Sequence, residues 1–327
     1  MGLGVVELCA GGGGQALGLE AAGFDCAAAI EIDPASCATL RLNRPHWRVI
    51  QADIRDISGS DFRGMDLLAG GVPCPPFSIA GKQLGRDDER DLFPEALRIV
   101  EEGQPAAVML ENVPGLASPR FRSYRQRLAA KLNEIGYEVR WAILNACDYG
   151  VPQLRPRFLI VAMRERSMSR FAWPPALDRP PLAVGATLAG LMASGGWPGA
   201  TAWASAASGI APTIVGGSRK HGGPDLGPTR ARRQWANLRV DGLGIGDEPP
   251  NRDFPIDGNP RLTLQMVARL QGFPDSWRFA GKKTAAYRQI GNAFPPPVAA
   301  QVSSAIAETL SPSGKFAIHR IEPNLFA

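Results

Sequence analysis

Nowhere in the 327 residues does an uninterrupted apolar run reach the roughly eighteen that a membrane-crossing helix needs, and no basic leader precedes the strand-like opening. A cytosolic protein with no membrane partner is therefore expected. Cysteine is scarce and unpatterned: Cys9, Cys26, Cys37, Cys74 and Cys147 are odd in number, scattered and never spaced as CxxC. That spacing argues against a disulfide framework and against a zinc site, so free thiols and no metal are expected. Most free thiols serve as small buried hydrophobes, and any exception has to be justified by its surroundings. No internal repeat is visible. The charged fraction, 20% beside 45% hydrophobic residues, is that of a folded globular protein rather than a disordered or fibrous one.

The length suits one large α/β domain and a smaller one, each with its own core. Net charge is +5, but its placement is uneven. From Arg166 to Arg239 nine Arg or Lys stand against Asp178 and Asp225, which leaves the rest of the chain slightly acidic. A basic footprint suited to phosphates is thus expected in that segment, although a merely solvated basic face gives the same count.

From Gly4 to Val161 short apolar runs alternate with helical patterns, the signature of a parallel sheet wrapped by helices. Strands are expected at 4–8, 27–31, 48–51, 67–71, 107–111, 140–144 and 157–161. Helices are expected at 15–21, 93–102 and 123–135, then at 263–270 with Thr263 as cap, and again from about Pro297. After Arg170 the texture turns to Pro, Gly, Ala and Ser with scattered Trp, which reads as a second, loop-rich lobe. The expected fold is α/β, a doubly wound and mostly parallel seven-stranded Rossmann-like sheet with that smaller lobe attached.

Ligands of open α/β sheets bind beyond the carboxyl ends of the strands. After the first strand comes Cys9-Ala10-Gly11-Gly12-Gly13-Gly14, a glycine loop where backbone can approach a ligand closely. The second strand ends at Glu31, whose carboxylate can accept from a ribose diol. The third leads to Asp53-Ile54, an acid for an adenine amino group and an apolar face for its ring. Each acid could equally be a helix cap. Beyond the fourth strand, Pro73 and Pro75 hold Cys74 rigidly, since proline fixes its own φ and restricts its neighbour. The fifth strand ends at Glu111-Asn112-Val113, and Gln153-Leu154-Arg155-Pro156-Arg157 brings two guanidinium groups toward the same rim. Thiol, carboxylate and arginines converge there.

In this order the blocks resemble the DNA cytosine-5 methyltransferase family, of the bacterial restriction-modification type. The resemblance takes in the glycine loop with Glu7-Leu8 before it, Glu31, Asp53, Pro73-Cys74, Glu111-Asn112-Val113 and Asn145 through Gln153 with Arg155 and Arg157. It continues through Arg261-Leu262-Thr263, Leu270 through Pro274 and Gln289-Ile290-Gly291-Asn292-Ala293. It covers most of the chain outside 170–259. The departures are Cys9 for a common Phe, Pro75 for Gln, Phe294 for Val and Glu7 for Asp, none of which removes a catalytic group.

The resemblance implies methyl transfer from S-adenosyl-L-methionine to carbon 5 of a flipped-out cytosine in duplex DNA, leaving S-adenosyl-L-homocysteine. Carbon 5 is too weak a nucleophile until a thiolate adds at carbon 6. The resemblance assigns that addition to Cys74. It gives Glu111 the task of engaging ring N3, which calls for a raised carboxyl pKa. Arg157 would meet charge near the base carbonyl, and Arg155 would hold a loop or a phosphate. The cofactor residues implied are Cys9, Ala10, Gly11, Gly13, Gly14, Glu31, Ile32, Asp53, Ile54, Gly71, Pro73, Leu92 and Asn292. A stacked base cannot be attacked from both faces, so it must be flipped; the segment 77–90, with Gly81 and Gly85, resembles the family's mobile loop. Ser78, Gln83 and Arg90 on or beside it, and Arg219, Lys220, Arg230, Arg232 and Arg233 in the second lobe, are the expected DNA contacts. The stretches 213–221 and 229–235 are expected in the major groove, with His221 a polar loop residue. Residues 1–170 with 285–327 would form the cofactor-binding catalytic domain and 171–284 the target-recognition domain. A monomer is expected, in a bacterial cytoplasm, with a cognate restriction endonuclease as possible partner. The rivals are a tRNA cytosine methyltransferase of the same fold, whose Cys-Phe-Thr block is missing before Arg261, a catalytically inert DNA-binding relative, and a nicotinamide oxidoreductase.

Overall fold

Seven strands form one sheet in the order β3-β2-β1-β4-β5-β7-β6: β1 Leu3–Leu8, β2 Phe24–Glu31, β3 Val49–Gln51, β4 Leu67–Gly70, β5 Ala107–Asn112, β6 Glu138–Asn145 and β7 Pro156–Met163. The computed structural model describes residues 2–73, 91–217 and 223–311. All seven strands stand where sequence patterning places them, with ends shifted by up to three residues. Pairing is parallel from β3 through β5, and β7 enters antiparallel to β5, with Glu111 opposite Leu159 and Asn112 opposite Phe158.

Strand alternation divides the sheet's residues between two faces. Val6, Leu8, Ala28, Ile30, Leu68, Val108, Leu110, Ile160 and Ala162 join one apolar cluster with Phe93, Ala96, Leu97 and Val100 of helix α3 (Phe93–Gly103) and Leu128 and Leu132 of α4 (Arg122–Glu134). Residues of the opposite parity, among them Glu7, Glu31, Glu111 and Arg157, lie outside that cluster, and all four are buried. Helix α1 (Gly14–Ala21) follows β1, and α2 (Pro34–Asn43) follows β2. The second of these escaped the sequence reading although its start is well signalled: Asp33 accepts from Ser36 N and Pro34 occupies the first turn.

The described residues fall into two compact units, 2–144 with 156–175 and 299–311, and 145–155 with 176–298. The sheet with α1 to α4 and the short α5 (Glu165–Met168) makes the first. The second holds α6 (Val184–Ala193), α7 (Ala200–Ala206), α8 (Thr229–Asn237), α9 (Leu264–Leu270) and α10 (Lys283–Asn292), and α11 (Pro296–Leu310) runs from its last residues into the first. The segment after Arg170 is thus more helical than its texture suggests. Its first two helices, α6 and α7, are short and rich in small residues, so no sharp apolar stripe marks them. The segment's anchors are single large residues instead: Trp197, Trp203 and Trp235 are buried, with Trp203 Nε1 donating to Arg239 O at 2.9 Å and Trp197 Nε1 to Pro255 O at 3.1 Å. Thr263 caps α9 as expected, accepting from Met266 N. Among the described residues no helix is long and apolar enough to cross a membrane.

Candidate active site

Three backbone features shape the loop after β1. Cys9, Gly11 and Gly13 all have left-handed backbone, with φ of 54°, 55° and 88°. Ala10 N donates to Ile30 O, and Gly13 N donates back to Ala10 O, so the loop is tied to the end of β2 before α1 begins. Glu31 completes the tie. Its Oε2 accepts from Gly11 N and its Oε1 from Asp33 N, both at 2.7 Å. Burial pushes the Glu31 carboxyl upward, and the backbone N–H groups of Asp33 and Gly11 oppose that shift.

Each Glu31 oxygen keeps a second acceptor direction, so its bonds to the loop leave capacity for a diol. Beside it Ile32 is 57% exposed, a large apolar side chain at a polar rim. Ile54 is buried, while Asp53 caps the short helical turn 54–56 through Arg55 N and pairs with the Arg55 side chain at 3.1 Å. Among the described residues a Cβ on Gly11 would meet only Cys9 O, at 4.0 Å, so they leave the loop open on that side. An open glycine loop, a diol-competent carboxylate and an uncovered apolar side chain fit an adenosyl ligand. Cys9 and Leu92 pack against the apolar cluster from its edge.

Across the sheet, Arg157 Nε lies 2.8 Å from Glu111 Oε1, each side chain only a tenth exposed. Topology produces this pair. Because β7 runs antiparallel to β5, its first residues reach the rim where β5 ends. Burial lowers the Arg157 pKa and the Glu111 charge counters it. The other carboxylate oxygen, Oε2, points toward the end of β4: a Cβ on Gly71 would sit 3.4 Å from it. Asn112 Nδ2 donates to Val72 O at 2.8 Å, fixing the same strand end from the next position. Leu92 N donates to Pro73 O, so the chain leaves and rejoins the sheet at one point around 74–90. Asp91 secures the return, accepting from Tyr124 Oη at 2.7 and 2.9 Å and from Phe93 N. Sequence reasoning missed the Asp91–Tyr124 tie; nothing in spacing alone links residues 33 apart.

Cys74, Ser78, Gln83, Arg90 and the segment 77–90, together with Arg219, Lys220 and His221, lie outside the described residues. The thiols that are described are poor nucleophiles. Burial pushes Cys26 up to about 12 and Cys37 and Cys147 up to about 11. Cys9 is raised too, by burial first and then by Glu31, Asp53 and Glu7.

In the second unit, Arg155 is 1% exposed. Its guanidinium donates to Ile214 O at 2.6 Å, Gly291 O at 2.7 Å and Ala293 O at 3.0 Å. Gln153 accepts from Ile214 N through Oε1 and donates to Gln271 Oε1, and Gln271 donates to Ala293 O. Of the two tasks expected of Arg155, holding a loop is the one its partners describe. Asn292 Nδ2 donates to Gly217 O at 3.2 Å within this unit. The stretch 213–217 is therefore clamped through Ile214 and Gly217. Arg230 and Arg233 on α8 are exposed, whereas Arg232 pairs with Asp225 at 3.3 Å.

Comparison with known proteins shows the family. The family model described as C-5 cytosine-specific DNA methylase matches residues 3–188 and 218–308. The Type II methyltransferase M.NaeI of Lentzea aerocolonigenes is 54% identical over 95% of this chain and 76% of its own length. The Type II methyltransferase M.NgoMIV of Neisseria gonorrhoeae is 52% identical over 93% of this chain and 97% of its own. Among solved structures, a putative DNA modification methyltransferase encoded within a prophage of E. coli superposes with a TM-score of 0.66 at 24% identity. It covers 94% of this chain and 99% of that one.

Proposed function

Because the chain belongs to the C-5 cytosine-specific DNA methylases and is a DNA cytosine-5 methyltransferase, we propose that Cys74, Glu111 and Arg157 carry its reaction on a cytosine flipped out of the duplex. The observation that carries this reading is the Glu111 carboxylate, held by Arg157 on one oxygen and turned by the other toward Gly71, three residues before Cys74. Such a thiol adds its electron pair to carbon 6 of the ring, and the displaced pair makes carbon 5 nucleophilic. Glu111 engages N3, so that negative charge does not accumulate on the ring during addition. Arg157 orients Glu111 and supplies a fixed positive charge beside it. Once carbon 5 is methylated, loss of its proton to water returns the pair to the ring and expels Cys74 as thiolate. The four described cysteines have raised pKa values, which leaves Cys74 as the candidate thiolate.

S-adenosyl-L-methionine, when bound, supplies the methyl group. The loop of Cys9, Ala10, Gly11, Gly13 and Gly14 would surround its amino-acid end, Glu31 its ribose, and Ile32, Asp53 and Ile54 its base, with Gly71, Pro73 and Leu92 at the border. Residues 171–284 would read the target sequence, with Arg230 and Arg233 facing DNA. A restriction endonuclease acting on the same sequence is the fitting partner, since the similar named proteins are Type II methyltransferases. A monomer working in the bacterial cytoplasm, where duplex DNA is found, is the reading that goes with this substrate.

Expression from a plasmid in a host that makes no 5-methylcytosine, followed by base-resolution mapping, should show modification at one short sequence. Cys74→Ala should abolish it, and Glu111→Gln should keep DNA binding while losing at least about a hundredfold in turnover. Modification by the Cys74→Ala variant would sink the assignment.

A further inference from the structure

On helix α3 the charged residues Glu95, Arg98 and Glu102 stand three and four residues apart, a spacing that in sequence reads as a solvated helix face. Such pairs on an exposed face contribute little by themselves. Both pairs form: Arg98 Nε lies 2.8 Å from Glu95 Oε2 and Arg98 Nη1 lies 2.9 Å from Glu102 Oε1, with each side chain about a third exposed. The third nitrogen is turned to another segment. Arg98 Nη2 donates to Ile57 O at 2.9 Å and to Ile54 O at 3.2 Å, 41 and 44 residues earlier in the chain. Those two carbonyls belong to the turn that Asp53 caps.

The same turn is seated on α3 by further contacts. Gly59 N donates to Glu102 Oε2 at 2.6 Å, so Glu102 holds the guanidinium with one oxygen and the end of the turn with the other. Arg98 first, and then the Gly59 N–H, keep the Glu102 carboxyl below its usual range. The backbones are close as well, since a Cβ on Gly59 would lie 2.8 Å from Ile99 Cα. Ile54 joins the apolar cluster that contains Phe93, Ala96, Leu97, Ile99 and Val100 of α3. Apolar burial is non-directional and holds the turn against the helix without fixing its angle. Two hydrogen bonds from a planar fork do fix it. At the start of α3, Leu92 N is bonded to Pro73 O. One helix thus sets both the border at Pro73 and Leu92 and the turn that begins at Asp53.

We propose that Arg98 is a positioning residue for the adenine end of S-adenosyl-L-methionine: aimed by Glu95 and Glu102, it fixes the carbonyls of Ile54 and Ile57 and with them the angle at which Asp53 and Ile54 meet the base. Arg98 acts through the turn and does not touch the cofactor. A guanidinium suits this task, because one planar group must meet two carboxylates and two carbonyls at once, which a lysine ammonium does not do. The proposal rests on the reading that Asp53 and Ile54 hold the adenine, which an Asp53→Ala variant tests separately.

The experiment is calorimetric binding of two ligands, S-adenosyl-L-homocysteine and its inosine counterpart, in which oxygen replaces the adenine amino group, to the unaltered protein and to Arg98→Gln. The dissociation constant of S-adenosyl-L-homocysteine should rise about tenfold in the variant. That of the inosine counterpart should rise much less, so the preference for adenine narrows. In turnover, KM for S-adenosyl-L-methionine should rise while kcat at saturating cofactor and the affinity for DNA stay as they were, the mark of lost uniform binding. Amide hydrogen exchange over 54–59 should quicken in the ligand-free variant. Arg98→Lys, which keeps the charge but lacks the fork, should move all of these in the same direction, and it carries the test should the glutamine variant not fold. Lys131→Gln, which removes the pair that α3 makes through Glu101 at 3.0 Å, should leave both ligands' affinities unchanged. Unchanged affinity in the Arg98 variants, or an equal loss for the two ligands, overturns the proposal. If Asp53→Ala keeps the full preference for adenine, the placement of the base is overturned, and the role of Arg98 with it.

Discussion

At the scale of single residues, burial decides what each ionisable group can do. Glu7 is buried on β1, with Oε2 lacking a hydrogen-bond partner among the described residues. Burial, and then the charge of Glu31, holds its carboxyl well above the ordinary 4.5. The folded chain thus keeps the Glu7 proton to a higher pH than the unfolded chain does. This stabilisation is complete below about 4.5 and fades as pH climbs from there through the folded-state value. The neutral isostere Glu7→Gln has no such loss. Its melting temperature, measured from about pH 5 to pH 8, should gain steadily on that of the unaltered protein; a difference that does not vary with pH would mean that Glu7 is not protonated in the fold. Glu111 is buried too, but beside a guanidinium, and only the folded structure distinguishes the two environments. In sequence both are acids near the end of an apolar strand.

At the scale of elements, the Arg155 cluster shows backbone held by side chains where regular structure is missing. Three carbonyls, Ile214 O, Gly291 O and Ala293 O, are satisfied by one guanidinium in a setting where an unpaired polar group costs about 1–3 kcal/mol. The same segments approach so closely that neither tolerates a side chain. A Cβ on Gly291 would lie 2.4 Å from Gly216 N, and one on Gly216 would lie 2.6 Å from Arg288 O. Gly291→Ala should therefore force the two backbones apart at a cost of about 2 kcal/mol or more. A thermal melt should register it as a fall of about 5 °C. An unchanged melting temperature would show that the segments are not packed against each other. The stretch 213–221 is expected from sequence in the major groove; within it, Gly216 is spent on close approach to Gly291.

At the scale of the whole molecule, the proposed division of labour is testable by exchange. Replacing residues 171–284 with the corresponding segment of a relative that modifies a different sequence should move 5-methylcytosine to that relative's site, as mapped at base resolution. Methylation persisting at the original sequence would place recognition elsewhere. Sequence alone determined the sheet, because apolar runs of strand length alternating with helical periodicity leave few other architectures. It also carried the resemblance from which the chemistry is proposed, because Cys74, Glu111 and Arg157 occur in an order that the family shares. It could not show which oxygen of Glu111 meets Arg157, since that depends on β7 entering antiparallel, a pairing decided by tertiary packing. Nor could it reveal that Arg155 serves backbone carbonyls, or that Tyr124 ties down Asp91. Those are relations between residues distant along the chain, and spacing carries no information about them until the sheet and its helices bring them together.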